Sequence, residues 1–124
     1  GFKAINDQRG HEVGDQALQL FSRCLRERMR LGDLVGRLGG EEFAVLMART
    51  EAEGPQALDR RLREALAASA PQQLGFALDF SAGWARLRPG DRSIEDLMRR
   101  ADAALYDAKR AGRGRLVAEP GAEQ

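Results

Sequence analysis

The sequence predicts an α+β domain, with helices flanking a mostly antiparallel central sheet. Three observations carry this. Three stretches repeat apolar residues at the spacing of amphipathic helices. Two apolar runs, Leu34-Val35 and Phe43-Ala44-Val45-Leu46-Met47, flank Gly39-Gly40-Glu41-Glu42, as strands flank a hairpin turn. Phe76, Leu78, Phe80, Ala82 and Trp84 alternate with mostly smaller or polar residues, as a half-buried strand does.

Taken in order, Gly1-Phe2-Lys3-Ala4-Ile5-Asn6-Asp7 reads as the tail of a strand or turn already under way. A first helix is expected over 15–30, with Ala17, Leu18, Phe21, Cys24, Leu25 and Met29 on one face and Asp15 favouring the dipole of its first turn. The hairpin strands follow at 34–38 and 43–47. A second helix is expected over 55–68, with Pro55 at a first-turn position and Leu58, Leu62, Ala65 and Leu66 inward. After the alternating strand at 76–84 comes a third helix over 93–111. Ser93 and Asp96 suggest a capping box, and Gly112 a C-terminal stop. A short strand is expected at 115–118, and the Glu/Pro/Gly-rich segment 119–124 reads as a flexible tail.

Composition narrows the function classes. With 124 residues, 43% of them apolar, the chain has material for one modest core. A net charge of +1 supplies no global field to draw in nucleic acid or a membrane surface. Apolar runs of a few residues are far short of the roughly 20 that span a bilayer. A single cysteine, Cys24, excludes an internal disulfide and fits a reducing, cytoplasmic setting. Cys24 and Trp84 read as packing residues, and the lone His11 as a structural histidine.

The chemistry concentrates at Gly39-Gly40-Glu41-Glu42-Phe43. Two glycines permit a tight turn and close approach of backbone to a ligand. Two adjacent carboxylates supply the hard oxygen donors that Mg²⁺ prefers. A glycine turn presenting acids suits metal-assisted phosphate chemistry. Taken alone, the pattern is equally that of a solvated hairpin turn. Lys109 and Arg113, near the end of the third helix, are equally cations favoured by the helix dipole. Asn6 and Asp15 are equally a turn residue and a helix-start acid.

Several patches together resemble one family. Phe2-Lys3-Ala4-Ile5-Asn6-Asp7, Gly10-His11, Gly14-Asp15, Arg37 to Phe43, Ser81-Ala82-Gly83-Trp84-Ala85, and Arg100-Ala101-Asp102 through Lys109 and Gly112-Arg113 resemble, in order, the motifs of the GGDEF domain of diguanylate cyclases, in its GGEEF form. The resemblance covers residues 1–118. It implies a nucleotidyl-cyclase, ferredoxin-like fold and the condensation of two GTP molecules into cyclic di-GMP. Each of two facing subunits would hold one GTP, so a homodimer is implied. Glu41 and Glu42 would hold Mg²⁺, and Glu41 would assist deprotonation of the ribose 3′-hydroxyl. Gly39 and Gly40 would admit the phosphates to the backbone. Lys3, Lys109 and Arg113 would neutralise the triphosphate. Asn6 and Asp15 would read the guanine edge, with Leu18 against the base.

Arg30-Leu31-Gly32-Asp33 lies five residues before Gly39, and at that offset RxxD resembles the family's inhibitory product site. Arg30 would grip phosphate or guanine bidentately, Asp33 would accept from the guanine edge, and Arg61 would complete the site. The family pattern also places DxD before Phe-Lys, so the natural protein is expected to extend upstream of Gly1, with weak or no activity in the shorter chain. The alternative reading is a catalytically silent module that binds cyclic di-GMP through Arg30 and Asp33.

Overall fold

The computed structural model describes residues 2–39, 42–47 and 54–122. Among them, four helices and four short strands follow in the order α1 (Phe2–Arg9), α2 (His11–Arg26), β1 (Leu34–Gly39), β2 (Glu42–Leu46), α3 (Gly54–Leu74), β3 (Ala82–Trp84), α4 (Ile94–Arg110) and β4 (Leu116–Ala118). The α+β class stands. The chain divides into two compact units, Gly1–Glu51 with Ala57–Asp79, and Ala52–Gln56 with Phe80–Gln124.

In the first unit, the opening segment is helical, not the end of a strand. α1 runs to Gly10, whose amide donates to the Asn6 carbonyl at 2.9 Å. Gly10 then turns the chain at φ 92°, a conformation costly for residues with a Cβ, and α2 begins. A short run such as Phe2, Ala4, Ile5 fits either period, so the local pattern could not separate the two. The core draws Ala17, Leu20, Phe21, Cys24 and Leu25 from α2, and Leu58, Leu62, Leu66 and Ala70 from α3. α3 continues past the expected end at 68 and carries Pro71 within it. Pro71 sits near the C-terminal end of the helix, and Ala70 beside it is fully buried. Arg23 Nη2 donates to Gln73 Oε1 at 2.6 Å, and the Arg9 guanidinium lies 4.2 Å from the Phe76 ring centroid. These contacts tie the end of α3 to α1 and α2.

β1 and β2 form the expected antiparallel hairpin, paired from Leu34↔Leu46 to Arg37↔Phe43. An irregularity between Arg37 and Gly39 then sets Gly39 opposite Glu42. The Phe2 ring meets Phe21 edge-on at 5.9 Å, and Phe21 meets Phe43 at 5.3 Å. This aromatic chain links α1, α2 and β2, each pair adding about 1 kcal/mol beyond the area it buries.

In the second unit, β3 and β4 are parallel, with Ala82↔Leu116, Gly83↔Val117 and Trp84↔Ala118 in register. The antiparallel expectation gives way here because α4 carries the chain back to the same end, as a crossover helix does. The strand expected over 76–84 is strand only at Ala82–Trp84, the three residues that pair with β4. Ser93 occupies the N-cap of α4 but makes no side-chain cap bond. Asp96 Oδ2 instead accepts from the Arg92 amide at 2.9 Å.

After β4, the described residues run on to Ala122. Glu119 is 5% exposed and Ala122 4%. Arg100 Nε donates to Glu119 Oε2 at 2.9 Å, and Arg88 pairs with Oε1. Arg100 also grips Asp91 through Nη1 and Nη2, and Nη2 reaches the Arg86 carbonyl at 2.7 Å. A buried carboxylate persists only with such partners. The hydrogen bond from Arg100, helped by the Arg88 amide, holds the Asp91 carboxyl down to about 2. The same pairing with Asp91, then Glu119, raises the Arg100 guanidinium. No helix among the described residues is long and apolar enough to cross a membrane.

Candidate active site

A close approach of α1 to α2 sets Asn6 against Gly14, the residue before Asp15. A Cβ at Gly14 would stand 1.5 Å from Asn6 Oδ1 and 2.7 Å from its Cγ. The Asn6 amide therefore occupies the volume where a larger residue 14 would have its side chain. Asn6 Oδ1 is buried there with no hydrogen-bond partner. Gly14 is itself buried, and the next residue, Asp15, turns outward with its carboxylate exposed. Leu18, one turn on, is half-buried, and Lys3 on α1 is exposed. The role of Gly14 as the seat of Asn6 was missed in the sequence. Its signal is the glycine itself, placed inside an amphipathic helix where alanine is favoured by about 1 kcal/mol.

The hairpin carries the acids. Phe43, held against Phe21, anchors the start of β2, and Glu42 beside it is exposed. Gly39 ends β1 opposite Glu42, while the expected roles of Gly40 and Glu41 fall outside the described residues. Among the described residues no group of three or more His, Cys, Asp or Glu side chains is arranged to hold a metal ion. An exposed carboxylate at a hairpin tip suits a different mode. Mg²⁺ keeps several waters, takes one or two carboxylates and completes its shell with substrate phosphates. The donor chemistry of Glu42 fits that mode.

Arg30 and Asp33 close a turn between α2 and β1. The Arg30 amide donates to Asp33 Oδ2 at 2.9 Å, and the Asp33 amide to the Arg30 carbonyl at 3.0 Å. Gly32, at φ 94°, supplies the left-handed step. Arg30 is exposed. Arg61, on α3, borders a pocket of about 560 Å³ with Glu27, Arg28, Met29, Glu64 and Ala65. Its Nε is buried with no hydrogen-bond partner, so one donor of the guanidinium is unspent.

Lys109 and Arg113 belong to the second unit. Lys109 lies half-buried in the last turn of α4, where the helix dipole favours a cation. Arg113 is exposed and stands at φ 63° between Gly112 at 118° and Gly114 at 61°. A left-handed conformation costs a residue with a Cβ about 1–2 kcal/mol, and such strain concentrates at functional sites.

Comparison with known proteins shows the family. Residues 1–115 match the family described as diguanylate cyclase, GGDEF domain. The chain is 45% identical over 117 residues to diguanylate cyclase DgcP of Pseudomonas aeruginosa, covering 93% of this chain and 17% of that protein. It is 42% identical over 115 residues to the probable diguanylate cyclase DgcC of Escherichia coli, covering 92% of this chain and 31% of that one. The structure of the active GGEEF domain of a diguanylate cyclase from Vibrio cholerae superposes with a TM-score of 0.81 at 36% identity, over 96% of this chain and 76% of that one. The GGDEF domain of DgcB from Caulobacter crescentus, in complex with c-di-GMP, superposes at 0.75 with 32% identity, over 99% and 72%. The chain belongs to the GGDEF family. It spans less than a third of the length of these two curated relatives.

Proposed function

We propose that residues 1–118 form the catalytic domain of a cytoplasmic diguanylate cyclase that condenses two GTP molecules into cyclic di-GMP. The observation that carries this is the Gly39 to Phe43 sequence, with Glu42 exposed opposite Gly39 at the hairpin end. In each of two half-reactions a ribose 3′-oxygen bonds to the α-phosphorus of the other GTP. The bond from that phosphorus to pyrophosphate breaks, and the hydroxyl proton leaves to a base. Glu41 would assist that deprotonation. Glu41 and Glu42 would hold Mg²⁺, which would supply charge neutralisation at the phosphates.

The chain's own residues supply positioning and charge, which dominate phosphoryl transfer. Lys3, Lys109 and Arg113 balance the triphosphate, and Gly39 and Gly40 admit it to backbone amides. Asp15 accepts from the guanine ring N–H and exocyclic amine, a donor pair that adenine lacks. Asn6, seated on Gly14, is held to read the same edge, with Leu18 against the base. Two subunits must face each other, because each holds one nucleotide. Product would inhibit by binding at Arg30, Asp33 and Arg61, where the unspent Arg61 donor supports an anionic ligand.

The test is incubation of the chain with Mg²⁺ and GTP, followed by chromatography for cyclic di-GMP. Product from the native chain and none from Glu42→Gln supports the reading. No product from a folded chain that still binds cyclic di-GMP supports the second reading, a silent receptor using Arg30 and Asp33. The turn closed by those two residues is the observation that favours it.

A further inference from the structure

Arg113 holds a conformation that arginine disfavours, and the bonds around it account for its persistence. The Arg113 amide donates to the Ala108 carbonyl at 3.0 Å, which closes the end of α4. On the far side, the Gly114 amide donates to Ser81 Oγ at 3.0 Å. Ser81 directly precedes β3, and the Ala82 amide donates to the Arg115 carbonyl at 2.9 Å, so the same strand end grips the turn twice. Arg115 folds back over the turn. Its Nε donates to the Arg113 carbonyl at 3.2 Å, and its Nη2 lies 2.9 Å from where a Cβ on Gly112 would stand. The backbone of Arg113 is therefore bonded at its own N–H, at its own carbonyl and at the next N–H. Its side chain is exposed and none of these bonds uses it.

We infer that Ser81 is a positioning residue: its hydroxyl, accepting from the Gly114 amide, fixes the left-handed Arg113 so that the guanidinium is presented ready for a nucleotide triphosphate. This rests on the proposed role of Arg113. Fixing the backbone before binding removes an ordering cost that a free loop would meet on contact with ligand. Arg115 contributes to the same turn, but it is a cation, so its removal also weakens phosphate attraction. Ser81 is neutral and isolates the positioning effect.

The experiment measures the dissociation constant of Mg²⁺-GTP for the full chain by calorimetry in five forms: native, Ser81→Ala, Ser81→Thr, Arg113→Gln and Ser81→Ala/Arg113→Gln. Ser81→Ala is expected to weaken binding roughly three- to tenfold, the worth of one hydrogen bond. Ser81→Thr, which keeps the hydroxyl, is expected to restore affinity to about the native value. In the Arg113→Gln background, Ser81→Ala is expected to add no further loss, because its effect runs through Arg113. Equal weakening by Ser81→Ala in both backgrounds would overturn the inference, as would no weakening when Arg113→Gln alone does weaken binding. Native affinity in Arg113→Gln would instead remove the proposed role of Arg113, and the inference with it.

Discussion

Gly83 lies in β3 with the backbone of α4 pressed against it. A Cβ built there would stand 2.2 Å from the Leu105 amide nitrogen, 2.5 Å from the Ala101 carbonyl oxygen and 2.8 Å from the Ala104 carbonyl carbon. All three are main-chain atoms of a helix, so no rotamer change relieves the clash. To reach an ordinary contact of 3.4 Å, strand and helix must part by about 1 Å. A gap of that size forfeits a quarter to a half of the dispersion attraction across the contact. The side chains affected include Trp84, Ala104 and Ala108, which are at most 9% exposed. Overpacking costs typically 1–3 kcal/mol, and a clash with fixed backbone belongs at the upper end, so Gly83→Ala should cost about 3 kcal/mol. For a chain of this length that lowers Tm by roughly 12 °C. The assay is urea and thermal unfolding beside Gly36→Ala, where nothing lies within 4 Å of the added Cβ. Gly36→Ala is expected to change stability by no more than about 0.5 kcal/mol. A cost below about 1 kcal/mol for Gly83→Ala, or equal costs for both variants, would refute the packing argument.

Gly14→Ala should act on binding rather than on stability. The Asn6 amide is displaced, so GTP affinity is expected to fall about tenfold, while the helix preference for alanine offsets the local strain and leaves Tm nearly unchanged. Asp91→Asn probes the clasp on Arg100. The folded carboxyl titrates at about 2 against 3.8 when free, so its contribution is complete above the free value and lost as pH falls through the folded one. Denaturation midpoints of native and variant chains should therefore converge between about pH 4 and pH 2, and a constant difference across that window would count against the pairing. Glu42→Gln is expected to lower cyclic di-GMP formation by about a hundredfold or more, without changing cyclic di-GMP binding measured by calorimetry. Arg30→Ala should do the reverse, weakening product binding by about tenfold or more and sparing GTP binding.

The three amphipathic helices and the glycine-acid hairpin were legible because their signals are local. Side chains three and four residues apart share a helix face, and an apolar run on each side of a glycine pair marks a hairpin, whatever the rest of the chain does. The motif residues were legible for the same reason, as fixed types at fixed spacing. Tertiary structure decided what depends on distant partners. Glu119 reads as part of a polar tail, yet it is buried because Arg88 and Arg100, distant in sequence by 31 and 19 residues, meet it. β4 runs parallel to β3 because α4 returns the chain, and β3 is three residues long because only those pair. α3 runs on through Pro71 to Leu74, past the end expected at 68, with Ala70 buried in the core. Asn6 owes its place to the missing Cβ of Gly14. Sequence by itself supplied the candidate residues for phosphate and guanine chemistry. Packing decided which of them are held in place, since a side chain is fixed only by neighbours that the fold brings to it.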